Sequence, residues 1–216
     1  MKKVKEKDFK PFSDLVYPEN KFNLPNLFSD YPECKKNIGS EGKGKRFRSN
    51  AFEKIIAFSE TKQSEDDIEV RGLIKNQRVV RYINKKYVDE SLTLNKYKIL
   101  VPQANGSGAI GEVLSTPMVG YTGSFIGVGT FENQQEAENC MKYIKTKFAR
   151  AILGTLKITQ HNEKETWHNV PLQDFTASSD IDWSKPIAAI DRQLYKKYNL
   201  DAIEIAFIGK NVRAME

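Results

Sequence analysis

The stretch Lys96-Tyr-Lys-Ile-Leu-Val-Pro-Gln-Ala-Asn-Gly-Ser-Gly-Ala-Ile-Gly-Glu112 constrains this chain more than any other. A basic, apolar run from Lys96 to Val101 predicts a strand. Pro102 and the small residues Asn105, Gly106, Ser107 and Gly108 then predict an exposed loop. Such a loop has almost no side chains, so its chemistry is that of the backbone. Glycine lets N–H groups approach a partner closely and adopt positive φ, which suits a cradle for phosphate oxygens. Charge and apolar support must come from the segments around it.

Those segments are basic. The formal net charge is +6, and its distribution says more than its size. Residues 1–48 hold twelve Lys/Arg against seven acids, Arg71 to Lys98 holds eight against two, and Lys142 to Lys157 holds five against none. The compensating acids sit apart, notably between Glu60 and Glu69. Each cluster alone reads equally well as a wet surface, because solvated faces are charged. Two clusters flanking one glycine-rich loop point instead to an anionic partner. No apolar run is long enough for a membrane span, and Met1-Lys-Lys-Val-Lys-Glu-Lys-Asp lacks the apolar stretch of a secretion signal, so the expectation is a cytoplasmic protein with no membrane partner. Cys34 and Cys140 make no disulfide framework, and with only His161 and His168 beside them they make no zinc site.

At 216 residues the chain has room for one domain with a sizeable core. Residues 1–50 read as a partly irregular N-terminal arm packed through Phe9, Phe12, Leu15 and Val16. It ends in Gly39-Ser-Glu-Gly-Lys-Gly-Lys-Arg46. Ala51 to Phe58 is a strand or a short helix, which periodicity does not separate. Ile68 to Lys75 and Arg78 to Ile83 predict a β-hairpin turning at Asn76-Gln77, with Arg71, Lys75, Arg78 and Arg81 projecting from it. Tyr97–Val101, Glu112–Leu114 and Ser124–Phe131 read as strands of one sheet. Asn133 with Glu136 opens a helix whose apolar stripe is Ala137, Cys140, Met141, Ile144, Phe148 and Ile152, ending near Gly154. On that wheel Lys142, Lys145 and Arg150 fall away from the stripe and Lys147 on its flank. Leu156–Thr159 and Thr166–Leu172 read as one or two final strands. One helix opens at Ser184-Lys-Pro with Ile187, Ile190, Leu194 and Tyr198 inward, and another near Asp201 with Ile203, Phe207 and Val212 inward. The expected class is α/β of the α+β type: a mixed or antiparallel sheet, flanking helices and a helical C-terminus.

Catalytic constellations fare poorly. Gly106-Ser-Gly-Ala-Ile-Gly111 matches GxGxxG after a strand, but a cofactor phosphate needs a helix starting within the motif. Pro117 and Gly120 follow too soon for a long one. The nuclease-like fragments Asp8-Phe-Lys10 and Glu41-Gly-Lys43 lie in the least regular part of the chain. Cys34 sits in a loop, Cys140 lies on the apolar stripe, and there is no nucleophile elbow. Trp167, Trp183, Tyr195 and Tyr198 read as core before they read as base-stacking rings. A basic, glycine-looped module without chemistry of its own has the profile of a nucleic-acid reader.

Several ordered motifs carry a resemblance. Tyr97 to Glu112, Glu136-Ala-Glu-Asn139, Lys142-Tyr-Ile-Lys-Thr-Lys-Phe-Ala-Arg150, Trp167-His-Asn-Val-Pro-Leu-Gln-Asp-Phe175, Ser179-Asp-Ile-Asp-Trp-Ser184 and Ile190-Asp-Arg-Gln-Leu-Tyr-Lys-Lys-Tyr198 resemble the C-terminal part of bacterial type II restriction-modification adenine methylases, whose C-terminus is a TaqI-like target-recognition domain. The likeness runs from about Arg71 to the end, and more weakly over Phe12 to Phe28. It implies a specificity module over residues 51–216. The partners it implies are double-stranded DNA and a methyltransferase or endonuclease catalytic domain or subunit. S-adenosylmethionine is expected in the catalytic half, which carries an Asn-Pro-Pro-Tyr-type motif for the flipped adenine. This chain has no Pro-Pro pair, so no cofactor and no catalysis are expected of it alone. Residues 39–67 depart from the family's pattern.

The residues expected to meet DNA are Arg71, Lys75, Arg78, Arg81, Lys96 and Lys98, the backbone of Asn105, Gly106, Ser107 and Gly108, and, as secondary phosphate contacts, Lys142, Lys145, Lys147 and Arg150. The alternative is a protein-interaction subunit that docks on a methylase or nuclease and touches DNA little.

Overall fold

Alternation along one strand organises the molecule. In Tyr97–Pro102, Ile99 and Val101 face one core and Leu100 faces another, because successive side chains of a strand point to opposite faces. The computed structural model describes residues 2–5, 9–38, 43–104, 111, 113–157 and 161–215. Among them the strands are β1 Val16–Tyr17, β2 Asp67–Ile74, β3 Gln77–Asn84, β4 Tyr97–Pro102, β5 Val113–Ser115, β6 Val119–Tyr121 and β7 Phe125–Phe131. The α-helices are α1 Lys2–Lys5, α2 Leu24–Asp30, α3 Lys35–Ile38, α4 Ala51–Lys54, α5 Gln134–Lys145, α6 Lys147–Leu153, α7 Ile187–Lys197 and α8 Ala202–Asn211.

The strands form two sheets. One is antiparallel in the order β1-β7-β4-β5, and the other runs β3-β2-β6, with β2 antiparallel to β3 and parallel to β6. With its flanking helices the fold is α+β. The hairpin β2–β3 forms where the residues predict it, but the turn is Lys75-Asn76, one residue early, with Ile74 opposite Gln77. Both turn residues have positive φ, 49° and 62°, the backbone that matches the twist of a two-residue hairpin.

Helices α5, α6 and α7 cover one face of the four-stranded sheet: Cys140, Tyr143, Ile144 and Phe148 share a core with Ile99, Val101, Val128, Trp167 and Leu194. The hairpin sheet lies over the other face, where Leu73 packs on Leu100, Tyr121 and Phe125. A second core lies beyond the hairpin, built from Phe22, Leu27, Phe47, Ile68, Val70 and Ile83. The rings of Phe22 and Phe47 are 4.3 Å apart and Phe58 lies 5.4 Å from Phe47. The first fifty residues therefore supply both cores, Phe12 and Val16 to one and Phe22, Leu27 and Phe47 to the other.

The sheets meet where the chain leaves β6 and enters β7. The Tyr121 N–H donates to Asn20 Oδ1 at 2.9 Å, its hydroxyl donates to the Pro18 carbonyl at 2.7 Å, and Asn20 Nδ2 donates to Ser91 Oγ at 3.1 Å. Burial of Tyr121 pushes its hydroxyl pKa well up, keeping it a donor. Gly127 faces this ring, and a Cβ there would sit 2.3 Å from the Tyr121 oxygen.

Three expectations are corrected. The helix after Asn133 is two helices, because Thr146 turns extended at ψ 148° and its hydroxyl caps α6 by accepting from the Ala149 N–H. The buried Asp191 of α7 takes the next two donors, the N–H groups of Lys147 and Phe148, at 3.0 and 2.9 Å. No strand forms over Thr166–Leu172. Lys164–Trp167 is a 3-10 turn that buries Trp167 against Phe12, and Leu156 lies in a turn after α6. Ile158 and Thr159 lie outside the described residues. Finally, α8 forms with a capping box at Asp201 and Glu204, but it buries Ile208 and leaves Ile203 and Phe207 outside.

Asn20 is 2% exposed and satisfies one backbone donor and one hydroxyl at the seam. Asn20→Ala leaves a buried N–H without an acceptor, so urea denaturation should show a loss of about 2–3 kcal/mol.

Candidate functional site

Register decides which cations of the hairpin act together. Leu73 lies opposite Arg78 and Arg71 opposite Val80, so Glu69, Arg71, Leu73, Arg78 and Val80 share one face, and Arg81 is on the other. The shared face looks toward the four-stranded sheet. There Arg71 Nε donates to Glu69 Oε1 at 2.7 Å, and its Nη1 approaches the Leu114 carbonyl at 3.4 Å. Arg78 Nη2 donates to the Gly111 carbonyl at 2.5 Å. Two arginines from two strands thus converge on the backbone that leaves the glycine-rich segment. Between them lies a cleft of about 210 Å³, walled by Val79, Val80, Leu100, Val113 and Phe125. Arg78 is exposed at its rim, and Lys75 is exposed at the hairpin tip.

The glycine-rich segment joins β4 to β5. β4 and β5 pair antiparallel across it, Leu100 with Val113 and Lys98 with Ser115, and Gly111 takes a positive φ of 62°. A strand, Val113–Ser115, follows the GxGxxG match, so among the described residues no helix N-terminus follows it for a cofactor phosphate. Asn105, Gly106, Ser107 and Gly108 lie outside the described residues, as do Asp8 and Glu41.

Lys98 is corrected: it cannot be a phosphate contact in this fold. It shares the inner face of β4 with Leu100, has no exposed surface, and donates to the Lys96 and Thr116 carbonyls at 3.2 Å each. Burial, with the Arg71 guanidinium adding repulsion, pulls its pKa down to about 7. Beside it, Ser115 Oγ is buried without a hydrogen-bond partner among the described residues. The signal was available in the sequence, since Lys98 is two residues from Leu100 on a strand and so shares its face.

The remaining cations separate. Arg81 donates to Glu60 at 2.7 Å on the far side of the hairpin, and Lys96 pairs with Glu132. The helix residues lie across the four-stranded sheet from Arg71 and Arg78. Lys142 donates to the Trp183 carbonyl at 2.7 Å. Lys145 and Lys147 line a cleft of about 270 Å³ with Asp191, Tyr195, Ile205 and Gly209. Arg150 is corrected as well, being buried with Nη1 on the Arg213 carbonyl at 2.6 Å. The break at Thr146 resets the helical phase, so a wheel drawn through it puts Arg150 on the wrong face. The two basic clusters do not form one surface.

Sequence reasoning missed the cleft's walls. Val79, Val80, Val113 and Phe125 come from three separate strands, and nothing in their local pattern marks them as neighbours of two arginines. Cys34 and Cys140 are free and buried, and burial pushes both thiols up in pKa. No group of three or more acids, histidines and cysteines that could hold a metal occurs among the described residues, and no helix among them is long and apolar enough to cross a membrane. Comparison with protein-family models, curated proteins and solved structures finds no match to the chain.

The titration of Lys98 has a definite sign. Its folded pKa lies below the ordinary 10.5 of the unfolded chain, so between about pH 10.5 and 7 the unfolded state binds a proton that the folded state does not. Stability falls as pH drops through that window and is flat in this respect below it. Lys98→Met should be more stable than the parent at pH 7, and should remove a rise of up to about 2–3 kcal/mol between pH 7 and 9 in urea-denaturation series.

Proposed function

We propose that this chain is a DNA target-recognition module of a restriction-modification adenine methylase, working with a catalytic half that is not in this sequence. The observation that carries the reading is the convergence of Arg71 and Arg78, from the two strands of one hairpin, on the carbonyls of Leu114 and Gly111 beside the glycine-rich connection. That arrangement ties the basic hairpin to Gly111 and the start of β5, where the chain leaves the glycine-rich segment. Cations and backbone N–H groups of such a unit hold phosphates and set register, and the residues they carry into a groove read base edges. The ordered motifs from Tyr97 to Tyr198 that resemble the specificity domain of these methylases support the same assignment.

On this reading Lys75 and Arg78 meet the sugar-phosphate backbone, and Arg71, held by Glu69, reaches the Leu114 carbonyl of β5. S-adenosylmethionine and the flipped adenine belong to the catalytic half. Lys142, Lys145 and Lys147, on the other side of the sheet, form a separate basic region rather than part of this face.

The test is selection from a randomised duplex pool at two salt concentrations. Enrichment of a short motif supports base readout, salt-sensitive binding without enrichment leaves a phosphate-holding module, and no binding at either salt overturns the reading. Within it, Arg78→Ala should weaken binding to all sequences and lower the slope of log affinity against log salt by about 1. Arg81→Ala, on the face turned to Glu60, should leave that slope unchanged.

A further inference from the structure

The cleft that Arg71 and Arg78 border has an apolar floor that holding phosphate does not require. Leu100 and Phe125, 0% and 3% exposed, form that floor, with Val113 beside them and Val80, 37% exposed, on the hairpin side. Phosphates are held by cations and N–H groups at a surface, and an apolar recess adds nothing to such a contact. The volume of about 210 Å³ lies below the roughly 300 Å³ at which pockets for drug-sized ligands begin, so the recess takes a single ring system. Among the described residues no acid lines it, and Glu69, the acid on the same face of the hairpin, is held by Arg71 Nε.

The polar side chains at the recess are all donors. Val80, Leu100, Val113 and Phe125 carry no polar side-chain atom, so the edge of a bound ring meets the guanidiniums of Arg71 and Arg78. Arg71 is fixed by two contacts, Nε to Glu69 and Nη1 toward the Leu114 carbonyl, and among the described residues its remaining N–H groups have no partner. A guanidinium donates and accepts nothing. The ring it suits presents acceptors along one edge, because a donor placed there is buried without a partner and costs affinity. Guanine, with N7 and O6 side by side, is such a ring, whereas adenine sets an N6 donor beside its N7. Arg78 stands exposed at the mouth, tied to the Gly111 carbonyl, where a phosphate attached to that ring remains in water. We propose that the cleft holds one guanine base, with Arg71 on N7 and O6 and Arg78 on the phosphate of the same nucleotide. Two sources present that chemistry, a guanine extruded from the duplex and a free guanine nucleotide. The inference rests on the DNA reading of the same two arginines and adds to it the base they select.

The test titrates the full chain with guanosine 5′-monophosphate, adenosine 5′-monophosphate and ribose 5-phosphate, followed through the methyl NMR signals of Leu100 and Val113. Guanosine monophosphate should shift both sets of methyls at millimolar concentration and bind about tenfold tighter than adenosine monophosphate. Ribose 5-phosphate should leave those methyls unmoved. Arg71→Gln should turn the preference toward adenine, whose N6 and N7 a carboxamide meets as a pair, a gain that a misfolded chain cannot give. A duplex with one mispaired guanine separates the two sources, since such a base costs less to extrude. Tighter binding than to the matched duplex supports extrusion, and equal binding supports the free nucleotide. Unmoved Leu100 and Val113 methyls, equal binding of the two nucleotides, or a folded Arg71→Gln variant that still prefers guanine overturns the proposal. The DNA reading fails separately: a chain that enriches a duplex motif while its cleft methyls ignore guanosine monophosphate keeps that reading and loses this one.

Discussion

Asn20 and Tyr121 make the junction on which the arrangement of the two sheets depends. Strand β6 belongs to the hairpin sheet and β7 to the four-stranded sheet, yet only Thr122, Gly123 and Ser124 separate them. So short a crossing holds the sheets face to face only if its backbone donors are satisfied inside the molecule. Asn20 accepts from Tyr121, the Arg71 carbonyl from Thr122, and the Phe47 carbonyl from Gly123. The Tyr121 ring fills the space over Gly127, which no larger residue would leave. From that junction follows the distance between hairpin and sheet, and so the cleft that Arg71 and Arg78 border.

The electrostatics of that cleft are one-sided. Arg71 and Arg78 stand on its hairpin wall and Lys98 lies buried behind Arg71, while Glu69 is the acid that pairs with Arg71. A full charge on Lys98 is disfavoured by its burial and by the Arg71 guanidinium beside it. Deprotonation of Lys98 relieves that repulsion, at a cost in stability that a methionine would not carry. The guanidiniums keep hydrogen bonds to carbonyls that a solvated surface pair would lack, which makes them fixed rather than mobile donors. Fixed donors are what a surface needs if it is to hold a polyanion in one register.

Much of this was legible locally. The alternation in Asp67–Asn84 and the turn residues beside it declare a hairpin, and Asn133 with Glu136 declares a helix start, because both signals lie within a few residues of what they specify. The failures share one cause. Thr146 breaks a helix whose apolar period runs straight through it, since the break is stabilised by Asp191, 45 positions on in the numbering of the chain. Arg150 is then buried against Arg213, and Lys98, basic and beside a loop, is carried inside by the parity of its strand. Ile203 and Phe207 mark an amphipathic helix correctly but do not say which face meets the protein.

The sequence by itself determined the hairpin, the strand before the glycine-rich segment, the starts of the helices after Asn133 and at Ser184-Lys-Pro, and the basic balance of the chain, since propensity, turn chemistry and charge are properties of neighbours along the chain. Only the tertiary structure decided which cations share a face, which are buried, and which apolar residues of α8 are left uncovered. Those outcomes depend on strand register, on the phase of a helix after its break, and on polar contacts between distant residues, such as Asn20 and Tyr121, 101 positions apart. No local pattern encodes such pairings, because the free energy that selects them exists only once the two sheets have met.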